Sequence, residues 1–519
     1  MEICMYEGYI RNRSKLCAEL GIEASGEREE IERTILLSGY RRWGREVVGH
    51  LYGSFALVIR DETRRELFCA RDPFGVQSLY YCRTGDGKLC FASTLQPIVD
   101  SPGFLKEIDP EALQYYMIFG YPVGERTLYK GVFKLPPGRF LIFRDGQYSI
   151  ERYYTPDFHP EPEISEVEWT RRIDATLQTI LSEDRENFDC SECRSFLSSG
   201  VDSSYLLAAS GVKNACCIGY SEEMYSEIKN ASDTARRLGA QLQELRVTEE
   251  EYFTALPDFF RRVEQPLSDA SAPVFSIGCG RLASETRLCM SGEGSDEFFA
   301  GYYDYPLTDE LGQIDGKPYF GCSTVMEAEE ARRLLRMAQS CSCESLIKEA
   351  CGDMSSLDAL SRILSVDIAL WLEGDILLGV RRAASTNGLH ILLPYTDRRM
   401  FELSARIPSA LKQHGACAKY ILRRAASRRL PREIAFRSKI GFSVPIKAWV
   451  RDTPRRKEVE ELLFGERSAV FFDQALLRPV WETFCGGDDE MFPVIWTVYC
   501  FTLWYENVFL KGTVRHARE

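Results

Sequence analysis

Short apolar runs of strand length dominate the first 150 residues. Ser54–Asp61 (SFALVIRD), Glu66–Ala70, Ser78–Cys82 and Lys88–Ser93 are β-branched or aromatic, and Thr84-Gly85-Asp86-Gly87 supplies a turn between the last two. Phe140–Phe143 and Tyr148–Ile150 flank Asp145-Gly146, a dipeptide suited to the positive φ angles of a tight hairpin. The pattern then stops. Thr155–Glu163 (TPDFHPEPE) is rich in proline and acid, which suits an extended connector rather than a packed element.

A different periodicity follows. Ser165 is a good helix cap with Glu168 three residues on, and Trp169, Ile173, Leu177 and Ile180 recur at helical spacing. Apolar runs at Arg194–Leu197, Ala215–Gly219, Leu242–Val247 and Arg287–Met290 then alternate with helical stretches, which predicts βαβ units on a parallel sheet. From about Glu327 the pattern becomes mostly helical, most clearly over Leu357–Leu378 and Ala418–Arg429. The implied organisation is a β-rich domain over 1–154, a linker over 155–164 and an α/β domain with a helical C-terminal part over 165–519.

Composition narrows the function classes. A chain of 519 residues, 45% hydrophobic and 27% charged, can bury more than one core. Its formal charge of -13 gives no basic footprint for nucleic acid or an anionic membrane surface. No apolar run approaches the roughly 20 residues that cross a bilayer, and the first residues lack a signal-peptide pattern, so the expected location is cytoplasmic. The 18 cysteines are scattered and read as reduced core thiols. Cys190 and Cys193 have C-x-x-C spacing, but Cys193 leads into a buried strand, and a core role is preferred to zinc.

The chemistry gathers at two strand-to-helix turns. Phe196–Ser204 (FLSSGVDSS) carries hydroxyls and a glycine into a helix, where free N–H groups favour an anion; a serine-capped turn without a ligand has the same local pattern. Ser291–Glu297 (SGEGSDE) places three acids in seven residues after another apolar strand. If the first and fourth strands are neighbours, as in a 3-2-1-4 order, both loops face one crevice, and Asp202 and Asp296 could share a Mg²⁺ ion bridging phosphates.

Leu197–Ser204 resembles the pyrophosphate loop L-S-G-G-x-D-S-S of asparagine synthetases, and Ser291–Glu297 matches that family's second loop letter for letter. Cys69–Tyr81 (CARDPFGVQSLYY), Leu393–Arg406 (LPYTDRRMFELSAR), Lys419–Ala425 (KYILRRA) and Arg437–Pro445 (RSKIGFSVP) are similar to further family motifs, in order. The resemblance implies a glutaminase-like domain of the N-terminal-nucleophile fold, followed by an adenylating domain. By it, Leu197, Ser198, Gly200, Asp202, Ser203 and Ser204 hold ATP, and Ile218, Ser291 and Gly292 line the adenosine and substrate side. Asp202 and Asp296 would hold Mg²⁺, Glu293 would be the acid/base or orienting carboxylate, and Lys439 the cation over the α-phosphate. The implied reaction is ATP-dependent adenylation of a carboxylate, aspartate first among them, and amide formation with ammonia or another amine. Its partners are therefore a small carboxylate and an amine donor, with a homodimer left open.

The chain also departs from that family. Glu2 stands where a glutamine-dependent member has its nucleophilic cysteine, and Tyr6–Leu16 aligns with a motif whose glutamine-binding Asn and Glu become Glu7 and Tyr9. A third contact, an aspartate, falls near Glu32, so the glutaminase domain is read as truncated and degenerate. Ser199 replaces a loop glycine, and Val380–Leu393 lacks the family's D-R-x-S-M and E-V-R elements, which bears on the substrate. Two other readings follow: a cyclase or ligase acting on a peptide or specialised metabolite, like β-lactam synthetases and lasso-peptide cyclases, or a catalytically dead scaffold.

Overall fold

The structure is a computed structural model; it describes residues 1–511 except 310–312, 315, 338, 340, 439, 440 and 442. Its first half is built on β1 (Glu2–Ile10), β2 (Gly53–Asp61), β3 (Glu66–Arg71), β4 (Tyr80–Arg83), β5 (Leu89–Ala92), β6 (Val132–Lys134), β7 (Arg139–Arg144) and β8 (Gln147–Arg152). They form an antiparallel five-stranded sheet in the order β1-β2-β3-β7-β8 and a three-stranded sheet β5-β4-β6.

Strand β2 shows why the run Ser54–Asp61 is apolar almost throughout. Successive side chains point to opposite faces. Phe55, Leu57 and Ile59 pack with Ile31, Ile35 and Leu36 of the helix Arg28–Trp43. Ala56 and Val58 pack with Tyr81 of the second sheet and with Leu79 and Leu135, which flank its strands β4 and β6. The five-stranded sheet is thus covered on both sides. Strand β1 and the helices Arg28–Trp43 and Pro110–Phe119 carry little period signal of their own and were not anticipated. The expected hairpin is present: Arg144 pairs with Gln147, and Asp145 and Gly146 have φ of 50° and 76°.

Residues 155–164 contain no regular strand or helix. Beyond them the helix Glu166–Asn187 starts where Ser165 accepts a hydrogen bond from Glu168 N, and it buries Trp169, Ile173, Leu177 and Ile180. The parallel sheet comprises β9 (Arg194–Phe196), β10 (Asn214–Gly219), β11 (Gln241–Arg246) and β12 (Leu288–Met290). Two short strands, β13 (Gln313–Ile314) and β14 (Lys317–Pro318), pair apart from it before β15 (His390–Leu392). The order β11-β10-β9-β12-β15 contains the expected 3-2-1-4 arrangement, so β9 and β12 are neighbours where the strand order reverses.

The expected helix Leu357–Leu378 is a helix from Ala359 to Ser385 whose middle, Asp367–Leu377, is π-helical. The segment Ala418–Arg429 is helical only over Tyr420–Ala426. Two buried ion clusters join the halves. Arg11 donates to Asp184 Oδ1 at 2.8 Å and Asp397 Oδ2 at 2.6 Å, and Glu373 accepts from Arg71 and Lys134 at 2.7 Å each. Burial pushes the Asp397 carboxyl up, but Arg11 and Arg399 outweigh it and hold it down at about 2.

Candidate active site

The two loops singled out by sequence follow β9 and β12, and they touch. A Cβ on Gly292 would lie 3.3 Å from Asp202 Cβ and 3.4 Å from Ser203 N, so glycine permits the approach. Ser295 Oγ donates to Asp202 Oδ1 at 2.6 Å, and Ser291 N donates to Leu392 O at 3.1 Å, fixing the second loop to both neighbours. Between them opens a cleft of about 350 Å³ lined by Leu197, Ser198, Asp202, Ser203, Ile218, Ser291, Gly292, Glu293 and Asp296, all anticipated.

Other expected positions are placed differently. Gly200 N donates to Ser198 Oγ at 3.1 Å, and Gly200 does not line the cleft. Ser204 is fully buried and its hydroxyl donates to Gly200 O at 2.8 Å, as a helix residue without a better acceptor does; it is withdrawn from the cleft, contrary to the expected ATP contact. Ser199, at the substituted glycine, is outside the left-handed region, so that replacement needs no strain; it is buried with its N–H and Oγ on Glu227 Oε1. Lys439 lies outside the described residues.

Lys419 was missed. Its Nζ lies 2.7 Å from Asp202 Oδ2 and 2.8 Å from Asp296 Oδ1, with the side chain 3% exposed. The ammonium is poorly aligned for hydrogen bonds, so the contact is chiefly Coulombic. A Cβ on Gly301 would fall 2.0 Å from Lys419 Cε and from Asp296 Oδ1, so glycine is required there too. Lys419 and Ala300 both adopt left-handed φ, of 55° and 60°, a conformation that costs a non-glycine residue about 1 kcal/mol and persists only where the surroundings impose it. Lys419 opens the motif Lys419–Ala425 noted in the sequence, but nothing local to that motif shows that its ammonium meets Asp202 and Asp296.

Two carboxylates with hard oxygens converging on one point suit Mg²⁺ in donor chemistry, since that ion takes one or two carboxylates with phosphate and water. The Lys419 ammonium sits at that point. Cys193 is buried in the main hydrophobic core beside the start of β9, with desolvation pushing its thiol up.

The rest of the cleft is apolar and acidic: aromatic Phe275, Tyr302 and Trp371 and aliphatic Ile376 and Val380, with Asp269 and Glu227. Trp371 and Ile376 come from the π-helical segment, whose wider turns displace side chains from α-helical positions. Behind the second loop, Glu297 accepts Tyr302 OH at 2.5 Å, and burial together with Asp296 pushes its carboxyl up to about 8.

The asparagine synthase family matches residues 190–506, which contain both loops and Lys419. The chain belongs to the asparagine synthase family. A glutamine amidotransferase domain matches residues 2–154. A Mycobacterium tuberculosis protein provisionally named a glutamine-hydrolysing asparagine synthetase is 29% identical, over 99% of this chain and 85% of its own. Glutamine-hydrolysing asparagine synthetase 1 of Bacillus subtilis is 27% identical, over 96% and 85%. Among solved structures, the glutamine phosphoribosylpyrophosphate amidotransferase of Bacillus subtilis aligns over 46% of this chain and 44% of its own, at 17% identity and a TM-score of 0.20, too slight a likeness to argue from. No helix among the described residues is long and apolar enough to cross a membrane.

Proposed function

We propose that this chain is an ATP-dependent carbon–nitrogen ligase that activates a carboxylate as an acyl-adenylate and passes it to an amine. The observation that carries this reading is the meeting of the two loops at the switch point, with Asp202 and Asp296 held around one cation. The division into residues 1–154, 155–164 and 165–519 belongs to the same proposal.

In this reading Ser198, Ser203 and the N–H groups at the start of the helix Val201–Ser210 receive the phosphates, and Ile218 and Phe275 cover the base. Asp202 and Asp296 would hold Mg²⁺, which would neutralise phosphate charge. Lys439 stabilises charge on the α-phosphate as the substrate carboxylate attacks, and Glu293 orients the amine or takes its proton. Lys419 keeps the two aspartates convergent.

Aspartate with ammonia, to give asparagine, follows from the relatives' names. One observation favours a different carboxylate, such as a peptide or specialised metabolite. Among the described residues lining the cleft there is no Lys or Arg to receive a second carboxylate, while Asp202, Glu227, Asp269, Glu293 and Asp296 all line it. A screen of carboxylates with ATP, read as pyrophosphate release, tests both readings: release with aspartate and ammonium supports asparagine formation, and release only with a larger acid supports the second. Glutamine in place of ammonium should give no glutamate above background, because Tyr9, at a position that should hold glutamine, turns its hydroxyl to Asp184 and Arg11. No pyrophosphate with any acid overturns the ligase proposal.

A further inference from the structure

A second cavity, of about 240 Å³, lies where the first half meets the C-terminal one. Tyr6, Glu7, Gly8, Arg28, Glu29, Glu32, Val76 and Gln77 form one wall, and Arg381, Ser385, Leu389, His390 and Ile391 the other. By the resemblance above, two of the positions that would bind glutamine, Glu7 and Glu32, fall here. The structure shows a cavity with different chemistry.

Its basic groups are unsettled. Arg381 is 7% exposed and reaches only neutral partners, Gln77 Oε1 at 3.3 Å and Ser78 Oγ at 3.2 Å. Its Nε has no hydrogen-bond partner, and among the described residues it forms no ion pair with a carboxylate. Arg28 stacks 4.6 Å over the Phe188 ring, with its buried Nη1 also unpartnered. His390 Nε2 lacks a partner too, but burial and then Arg28 and Arg11 push the imidazole down to about 3, so it is neutral and contributes no charge. Burying guanidinium nitrogens with no acceptor or carboxylate in contact is costly, even where a carboxylate stands further off.

The acids on the facing wall are committed elsewhere. Glu32 accepts Tyr6 OH at 2.9 Å and Ile10 N at 3.1 Å, Glu7 accepts Ser93 Oγ at 3.2 Å, and Glu29 pairs with Arg33 at 2.9 Å. Glu7 faces Arg381 and Glu32 faces Arg28 only as longer-range charges, with no ion pair among the described residues, so what the cavity lacks is an anion in direct contact with Arg381 Nε and Arg28 Nη1.

We propose that this cavity binds a small carboxylate, received by Arg381 and Arg28. A guanidinium binds carboxylates through its donor fork, and a volume below the roughly 300 Å³ of drug-sized pockets suits a metabolite. Arg381 belongs to the helix Leu378–Ser385, whose preceding residue Val380 lines the loop cleft, so one helix contributes a side chain to each cavity. The site is distinct from the cleft and does not depend on the ligase reading.

The experiment uses the full chain and four probes: glutarate, L-glutamate, L-glutamine and sodium chloride at matched ionic strength. Calorimetric titration and the concentration dependence of Tm read binding, because a ligand of the native state raises Tm by mass action. Glutarate or L-glutamate should bind and raise Tm, and Arg381→Gln should weaken that binding at least about tenfold. Should Arg381→Gln fold poorly, Glu7→Gln serves instead: removing the negative charge opposite Arg381 should tighten glutarate. Asp202→Asn, in the other cleft, should leave it unchanged. Glutarate bound more tightly than L-glutamate means a plain carboxylate site, and the reverse means that Glu7 or Glu29 also takes an ammonium. The proposal is overturned if no probe beyond chloride binds, as for a cavity satisfied by water, if glutamine alone binds, or if Asp202→Asn rather than Arg381→Gln or Glu7→Gln alters binding.

Discussion

The loop cleft and the cavity between the halves settle their charges in opposite ways. In the cleft, Lys419 stands between Asp202 and Asp296, Ser295 satisfies the remaining Asp202 oxygen, and Gly292 and Gly301 give the space for it. In the cavity, Arg381 meets only neutral acceptors, and nitrogens of Arg28 and His390 are unpaired. A site whose two aspartates already share a buried ammonium is preorganised before any substrate arrives, and it is damaged by losing any of the three. A site whose guanidiniums have no carboxylate in contact is organised for something that completes it, and losing such a group costs the fold little.

The largest expected effect breaks the cleft. Asp202→Asn and Asp296→Asn should each lower pyrophosphate release with the accepted acid by on the order of 10²-fold or more, mostly in kcat, as for other preorganised electrostatic groups. The double variant should lose little more than either single one, since both serve one cation. Additive losses with an unchanged Mg²⁺ dependence would separate the two loops.

Stability sharpens the contrast. Lys419→Met leaves two carboxylates facing each other in a nearly closed space and should destabilise the fold by about 3–5 kcal/mol in urea unfolding. Adding Asp202→Asn and Asp296→Asn should recover part of that loss. A Lys419→Met protein of wild-type stability would show that the aspartates do not depend on the ammonium.

Arg381→Met, without added ligand, should change stability by less than about 1 kcal/mol or raise it, because it removes a buried charge that no carboxylate contacts and keeps the apolar stem. A loss as large as that of Lys419→Met would mean that the two sites are alike after all.

The smallest effect concerns pH. Glu297 keeps its proton in the fold up to about pH 8, through burial and then Asp296, whereas its ordinary value is 4.5. Its contribution is therefore fully present below pH 4.5 and is lost as pH rises through 8. Glu297→Gln should flatten the fall of Tm across that window. An unaltered slope would place the titration elsewhere, with Asp367, pushed up by burial to about 6, the next group of the same sign.

Sequence alone reached the elements whose cause is local. Asp145-Gly146 dictates its turn, Ser165 and Glu168 start their helix, and the apolar runs before each loop become β9 to β12, because these depend on backbone angles and side-chain period within a few residues. The loops Leu197–Ser204 and Ser291–Glu297 were legible as motifs, but their meeting follows from the strand order. Strand β1 and the helix Arg28–Trp43 escaped notice because burial against β2, not periodicity, makes them regular. Lys419 lies 217 residues after Asp202 and 123 after Asp296, and Arg381 lies 304 after Gln77. No local pattern encodes such encounters. Folding brings these charges together out of water, where each attraction or unmatched charge counts for far more than on an open chain, and so the tertiary structure decided which lysine serves the cleft and which arginine waits for an anion.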